Sequence, residues 1–443
     1  MKQFLARHPH IVRIAAVSLI AGLGSTGFLV WVASAQGLNP AAITGDAKGY
    51  LLLADNLRTQ QVFSVATSAP FYPESFRAPG YPFFLALLYT VTGSWLGTLF
   101  LQALLLSVAP VLLYLLIRPY HERAAFWGSI VYALEPLRLF YSASLLSDAL
   151  FAALLLAALL CLQRARGSWR YAGATGFILG ISILVRPIAV FLPFVFAGFA
   201  LWSYRPLLQG VKIAGIIVVI AVLTVLPWSL RNYELFGSFN VSSVGAANLM
   251  LYNAPEFLKF NPAPEGRVVY ERFKEEQEML PREEALSLAR TPIFTASFKE
   301  VIQGEELSYL FFHVFKTMPF FLSDGLRDVI RLFNVEIGTM PNITTDLLTG
   351  RVGNIISYLL GGGIAIWLFI IGITFWGITT LFWLWCVVQT LRGRMHYSWA
   401  FLGVLILYFA LLTGPVSNAR YRLPIEGFLI ASAAAVVLKR HEA

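Results

Sequence analysis

The chain alternates long apolar runs with short basic clusters, a pattern that predicts membrane-crossing helices joined by small loops. The first run extends from about Ile14 to Val32, close to the ~20 residues a helix needs to cross the hydrocarbon. Lys2, Arg7 and Arg13 precede it, so the positive-inside rule places the N-terminus in the cytoplasm and delivers Asp46 to the far side. Ala33-Ser34-Ala35 has the form of a signal-peptidase site, but the apolar run before it is long for a cleavable segment and reads as an uncleaved anchor. Further crossings are expected at about 96–117, 124–141, 145–163, 170–185, 187–204, 210–230, 355–390, 397–413 and 423–439. They keep Arg118 to Arg123, Arg164, Arg166, Arg170, Arg205, Lys212, Arg392, Arg394, Lys439 and Arg440 inside, with both termini cytoplasmic.

The fold class that follows is an all-α polytopic helix bundle of about ten membrane helices. The count rises to eleven or twelve if residues 80–93 or 308–333 also enter the bilayer. Residues 80–93 are expected as a short re-entrant or interfacial helix within a first outer loop at about 37–95. The chain divides into an N-terminal membrane module, 1–230, an extracytoplasmic or interfacial region, 231–354, and C-terminal membrane helices, 355–443. In the middle region the charged run Glu271 to Arg290 predicts an amphipathic solvated helix. The aromatic run Leu307 to Phe321, followed by Asp324, Arg327, Asp328 and Arg331, predicts helices lying in the interface. Residues 355–390 are read as one long tilted helix.

Composition agrees with a bilayer protein: 58% of residues are hydrophobic and only 13% are charged. The formal charge of +9 raises the question of nucleic acid, but Lys and Arg stand between apolar runs rather than along one polar face, so no nucleic-acid partner is expected. Cys161 and Cys386 both lie inside hydrophobic segments and read as packing residues. The six His are scattered without ligand spacing, so no tightly bound cofactor is expected, and a divalent-metal requirement stays open.

The expected topology brings an unusual set of polar residues to the outer face: Asp46, Lys48, Arg77, Glu135, Arg138, Asp148, Arg186, Arg231, Arg420 and Arg422. Arginines clamp a phosphate by charge-assisted, often bidentate, hydrogen bonds, and a carboxylate takes a proton from an attacking hydroxyl or amine. Sugar transfer from a lipid phosphate needs both. Each residue also has a structural reading. Asp46 after Thr-Gly suits a helix N-cap, Arg77 before a Pro-Gly turn suits a side chain reaching headgroups, and Asp148 suits the first turn of a helix. Arg186-Pro187 suits the junction of two helices, and there the structural reading is preferred. Arg420 and Arg422 resist a topological explanation, because they sit outside against the positive-inside tendency.

Five stretches together resemble the GT-C superfamily of polytopic glycosyltransferases, in its bacterial branch related to protein O-mannosyltransferases and the lipid A aminoarabinose transferase. They are Gly45-Asp46 with Tyr50; Arg77-Ala78-Pro79-Gly80-Tyr81-Pro82; Tyr141 to Phe151 with Ser147-Asp148; Leu226 to Tyr233 with Phe236-Gly237; and Asn418 to Pro424. The resemblance implies a polyprenyl-phosphate sugar donor and a glycan, lipid or protein acceptor. It implies inverting transfer at the outer, periplasmic face of a bacterial inner membrane. It makes Asp46 the general base, with Asp148, where the family often has Glu, as a second catalytic candidate. Arg77, Arg231, Arg420 and Arg422 become candidates for the donor phosphate, with Lys48, Tyr50, Tyr81, Glu135 and Arg138 in support. A transporter or flippase of lipid-linked saccharides, or a glycan ligase, remains as an alternative use of the same charges.

Overall fold

The computed structural model describes residues 8–325, 329–330, 346, 350–361 and 363–439, and among these every regular element is helical. Arg327, Asp328 and Arg331, like Lys2, Arg7 and Arg440, lie outside the described residues. Among the described residues, six stretches are long and apolar enough to cross a membrane: Pro9–Ala35, Trp95–Ile117, Ser147–Ala165, Leu207–Phe236, Ile366–Leu391 and Ser398–Val416. Gly80–Thr92, Trp169–Val185, Pro187–Ser203 and Glu426–Leu438 are shorter apolar segments. Large apolar side chains such as Phe177, Val219, Trp367 and Leu381 are exposed on these helices, as they are when lipid is the solvent.

The bundle is closed by approaches that only small residues permit. Trp169–Val185 packs against both Ser147–Ala165 and Leu207–Phe236. Gly176 and Gly180, one turn apart, face the last of these. A Cβ on Gly176 would lie 2.5 Å from the Ile217 carbonyl oxygen, and one on Gly180 would lie 2.5 Å from the Thr224 Cβ. Between membrane helices, where apolar burial gives little driving force, such backbone proximity supplies the dispersion contact. Glu426–Lys439 packs against Glu122–Leu134 and Gly363–Leu391, with Gly128 set against the Ala431 backbone.

Several expected crossings are interrupted, and the interruptions have local causes. The segment 124–141 is two helices, Glu122–Leu134 and Pro136–Ser142, because Pro136 holds Glu135 extended (φ −62°, ψ 121°). The Glu135 carboxylate then caps the second helix by accepting the Arg138 N–H at 2.5 Å. Residues 96–117 divide into Trp95–Leu106 and Ala109–Ile117, with Pro110 opening the second helix. Residues 187–204 start as a 3₁₀ turn, Pro187–Phe191, before Leu192–Ser203. Over 355–390 the described residues are helical, in Val352–Gly361 and Gly363–Leu391, and residue 362, on which the reading of one long tilted helix turns, lies outside the described residues. The charged run 271–290 is not one helix: Pro264–Met279 ends before Pro281, and two short turns, Arg282–Ala285 and Leu288–Arg290, follow.

Gly80–Thr92 is helical and exposes the stripe Phe83, Leu87 and Val91 while burying Tyr81, Leu85 and Leu88. It stops at Gly93, whose φ of 69° requires the left-handed conformation. The helices between Val244 and Val301 form a small core of their own around Met250, Phe273, Phe294 and Phe298, against which Phe76, from the segment before Gly80–Thr92, packs. Cys161 is half-buried and Cys386 is buried, and neither is in a disulfide.

Candidate active site

The helix Gly45–Thr59 sets out the first half of the site. Thr44, not Asp46, is its N-cap, accepting the Ala47 N–H at 3.2 Å. Asp46 is thereby free to project from the first turn. Residues three and four apart share a helix face, so Asp46, Gly49 and Tyr50 line one side, while Lys48, two residues on, is exposed on another. Arg77 enters across Gly49 and donates from Nη2 to Asp46 Oδ1 at 3.2 Å. Its guanidinium also lies 5.4 Å from the centre of the Tyr50 ring.

Asp148 and Arg420 complete the cluster. Asp148 is fully buried at the start of Ser147–Ala165, and Arg186 donates to its Oδ1. Arg420 donates from Nε and Nη2 to Asp148 Oδ2, both at 3.1 Å, and from Nη1 to Asp46 Oδ2 at 2.8 Å. One planar guanidinium thus joins two carboxylates contributed by helices a hundred residues apart. Tyr141 and Tyr421 stand 5.8 Å from the Arg420 and Arg186 guanidiniums respectively, so aromatic faces wall the charges in.

The electrostatics are unbalanced in a useful way. Three guanidiniums face two carboxylates, which leaves one positive charge over. Arg77 is 9% exposed, and its Nη1 is buried without a hydrogen-bond partner, an uncommon condition for a charged donor. Asp46 is the open member of the cluster, with 43% of its side chain exposed. Burial pushes its carboxyl upward, but Arg420 and Arg77 outweigh that and hold it below the ordinary carboxylate value. The site therefore has an ionised carboxylate at its mouth and a surplus of donors beside it.

Supporting residues hold these groups in place. Tyr50 OH lies 3.4 Å from Ser147 Oγ, and its ring meets Tyr81 edge-on with centroids 4.9 Å apart. Buried Tyr81 donates to Gln102 Oε1 at 2.7 Å, and Gln102 Nε2 donates to the carbonyls of Ser144 and Ser142. Arg231 does not join the carboxylates. It donates to the Glu74 carbonyl at 3.1 Å and stacks over Trp228, which fixes the loop leading to Arg77. Glu74 Oε1 in turn accepts the N–H groups of Phe76 and Arg77.

The expected single convergence resolves into two clusters. Glu135, Arg138 and Arg422 stand apart from Asp46. Arg138 donates to the carbonyls of Ala133 and Leu106 and to Ser18 Oγ, against the middle of the first membrane helix. Arg422 is fully buried, with Nε 3.4 Å from Glu426 Oε1, Nη1 donating to the Phe320 carbonyl at 2.8 Å, and its guanidinium 3.6 Å from the Trp376 ring centre. The reason lies in helix geometry: at about 100° per residue, positions 420 and 422 of Ala419–Arg422 point to opposite sides. Arg186 moves in the other direction, from an expected helix-junction role into the ion cluster. The signal for it in the sequence is its place among the outer-face residues. Among the described residues, no group of three or more His, Cys, Asp and Glu side chains is arranged to hold a metal ion.

Comparison with known proteins gives the fold a class. The crystal structure of the Archaeoglobus fulgidus oligosaccharyltransferase tethered to an acceptor peptide containing the NVT sequon aligns over 99% of this chain and 50% of that one, with a TM-score of 0.56 and 15% identity. The same organism's oligosaccharyltransferase AglB, in complex with an inhibitory peptide and a dolichol-phosphate, aligns over 98% and 51%, with a TM-score of 0.54 and 14% identity. The chain thus has the GT-C fold of polytopic membrane glycosyltransferases and spans about half the length of these structures. Within it, residues 76–230 match the family described as dolichyl-phosphate-mannose-protein mannosyltransferase. ArnT from Cupriavidus metallidurans bound to undecaprenyl phosphate aligns at a TM-score of only 0.41, with 15% identity over 98% of this chain and 78% of that one. No curated protein sequence matches the chain.

Proposed function

We propose that this protein is a membrane glycosyltransferase that moves a sugar from a polyprenyl phosphate to a glycan, lipid or protein acceptor. The transfer takes place at the outer face of a bacterial inner membrane and inverts the anomeric carbon. The observation that carries the reading is the surplus of guanidinium over carboxylate at Asp46, Asp148, Arg77, Arg186 and Arg420, with Arg77 Nη1 unpartnered beside the half-exposed Asp46 carboxylate. The family match over residues 76–230, and the dolichol-phosphate named with the archaeal relative, supply the lipid phosphate as the anion.

In the reaction the acceptor oxygen or nitrogen attacks the anomeric carbon while the bond from that carbon to the phosphate oxygen breaks. Asp46 receives the acceptor's proton, and the departing phosphate keeps the bonding electrons. A positioned base contributes about 10²–10⁴-fold in rate. Arg77 and Arg420 meet the charge that grows on the phosphate, the stage at which fixed donors act most strongly. Asp148 orients Arg420 and Arg186 rather than taking a proton, because its oxygens are already occupied by guanidinium. Arg231 acts one step removed, by holding the Glu74 loop.

The test is release of polyprenyl phosphate from a panel of synthetic polyprenyl-phosphate sugars by the purified protein in nanodiscs, with membrane extract as acceptor. Turnover in the wild type that is lost in a folded, donor-binding Asp46→Asn variant supports the transferase. Donor binding without turnover in both proteins would point to transport of the lipid-linked sugar instead.

A further inference from the structure

The first outer loop and the middle region line a cavity of about 260 Å³ that extends along the loop to Phe76, the residue before Arg77. One wall is the extended stretch that includes Ser64, Tyr72 and Glu74, and the other is Arg282 and Glu283 with Leu286. We propose that this cavity binds a sugar unit of a saccharide acceptor, one removed from the unit that reacts. The inference rests on the transferase reading above and names the acceptor class for it.

The cavity walls are tied to each other by hydrogen bonds through Ser75 and Ser243. Ser75 Oγ accepts the Leu288 N–H at 2.9 Å, the Ser75 carbonyl accepts the Ser243 N–H at 3.0 Å, and Ser243 Oγ donates to the Leu286 carbonyl. These bonds tie the two walls together, so the space exists before a ligand arrives and little ordering cost falls on binding. Its position is equally constrained. Glu74 and Phe76 line it, and the next residue is Arg77, which pairs with Asp46. The same stretch of backbone that lines the cavity thus carries Arg77 to Asp46.

The lining suits hydroxyl groups on a rigid ring. Tyr72, 50% exposed, offers an aromatic face, while Glu74, Arg282 and Glu283 bring planar charged groups of both signs to one cavity. Such groups hydrogen-bond adjacent hydroxyls as acceptors and donors. An extended peptide is the poorer fit. It would bind by adding a strand, and the loop has little free backbone to offer. The Phe63 carbonyl accepts the Glu74 N–H, those of Ser64 and Ala66 accept from Asn56 Nδ2 at 2.7 and 2.8 Å, and Pro70 and Pro73 have no N–H.

The experiment uses the full chain in nanodiscs, titrated with a panel of soluble tri- and tetrasaccharides and, separately, with a panel of extended peptides, read by calorimetry. Tyr72 and Arg282 are both exposed, so Tyr72→Ala and Arg282→Ala leave the fold intact. The expected result is saccharide binding that weakens about tenfold or more in each variant, a change of about 1.4 kcal/mol. Saccharide binding that neither variant weakens, peptide binding that Tyr72→Ala abolishes, or no saccharide binding at all would each overturn the proposal. Tyr72-dependent saccharide binding by a protein that turns over no lipid-phosphate donor would uphold the cavity and reject the transferase reading.

Discussion

Gly49 leaves the space that Arg77 fills. A Cβ built on Gly49 would lie 2.6 Å from the guanidinium carbon of Arg77 and 2.8 Å from its Nη1, the atom without a partner. Asp46 sits one turn before Gly49 on the same helix face, so the glycine lets a cation cross the helix and reach the carboxylate from the side.

Gly49→Ala therefore separates function from stability. Alanine favours a helix interior over glycine by about 1 kcal/mol, and the side chain it displaces is flexible. We expect the thermal midpoint to hold or rise, while donor turnover falls about tenfold or more as Arg77 leaves Asp46. Equal turnover in Gly49→Ala and wild type would remove Arg77 from the working site.

The two aspartates should respond differently to the same change. Asp46 is the open carboxylate, so Asp46→Asn is expected to fold normally and to lose about 10²–10⁴-fold in turnover. Asp148 is fully buried between Arg186 and Arg420, and Asp148→Asn takes the carboxylate from Arg186 and leaves Arg420 with Asp46 alone. Breaking a buried pair from one side costs about 3–5 kcal/mol, so this variant is expected to lose folded protein before its activity can be compared. Chromatographic homogeneity and thermal midpoints, measured alongside turnover, distinguish the two outcomes.

The ionic state of Asp46 has a pH signature. Its folded value is depressed, so its contribution to stability is fully present above the unfolded value, about 3.9, and is lost as pH falls through the lower folded value. The difference in thermal midpoint between wild type and Asp46→Asn should stay constant from pH 5 to pH 8 and shrink only below about pH 4. A difference that changes between pH 6 and 7 would mean that the carboxyl is not held down by Arg420 and Arg77.

Much of this was legible in the sequence, because membrane helices are written in composition. The apolar runs point to the long helices, but the common face of Asp46, Gly49 and Tyr50 appears only with the helix Gly45–Thr59 and the approach of Arg77. Glu135-Pro136 and Pro281 carried the helix breaks in the sequence, but long apolar or charged stretches obscured them. Topology sorted residues by side of the membrane without resolving depth or direction. Arg420 and Arg422 were grouped together although they point apart, and Arg138, assigned to the outer face, reaches Ser18 in the bundle. Arg186 was read as a helix-junction residue, because its partner Asp148 lies 38 positions away and only the packing of Trp169–Val185 on Ser147–Ala165 brings them together.

Arg422 and Glu426 make the second cluster a test of how the site helix is anchored. Both side chains are fully buried, and Arg422 is further held by the Trp376 ring and the Phe320 carbonyl. Arg422→Met or Glu426→Met alone leaves a buried charge unanswered and is expected to cost about 3–5 kcal/mol. The double variant Arg422→Met/Glu426→Met replaces the pair with apolar volume and should recover most of that loss, since such exchanges are often near neutral. If Arg422 serves only to anchor Ala419–Arg422, the recovered double variant also recovers donor affinity, because Arg420 is again presented to Asp46 and Asp148. A double variant that is stable yet still binds donor at least tenfold more weakly would return Arg422 to the phosphate site. Thermal midpoints and donor titrations on the two single variants and the double variant form the cycle that decides between these outcomes.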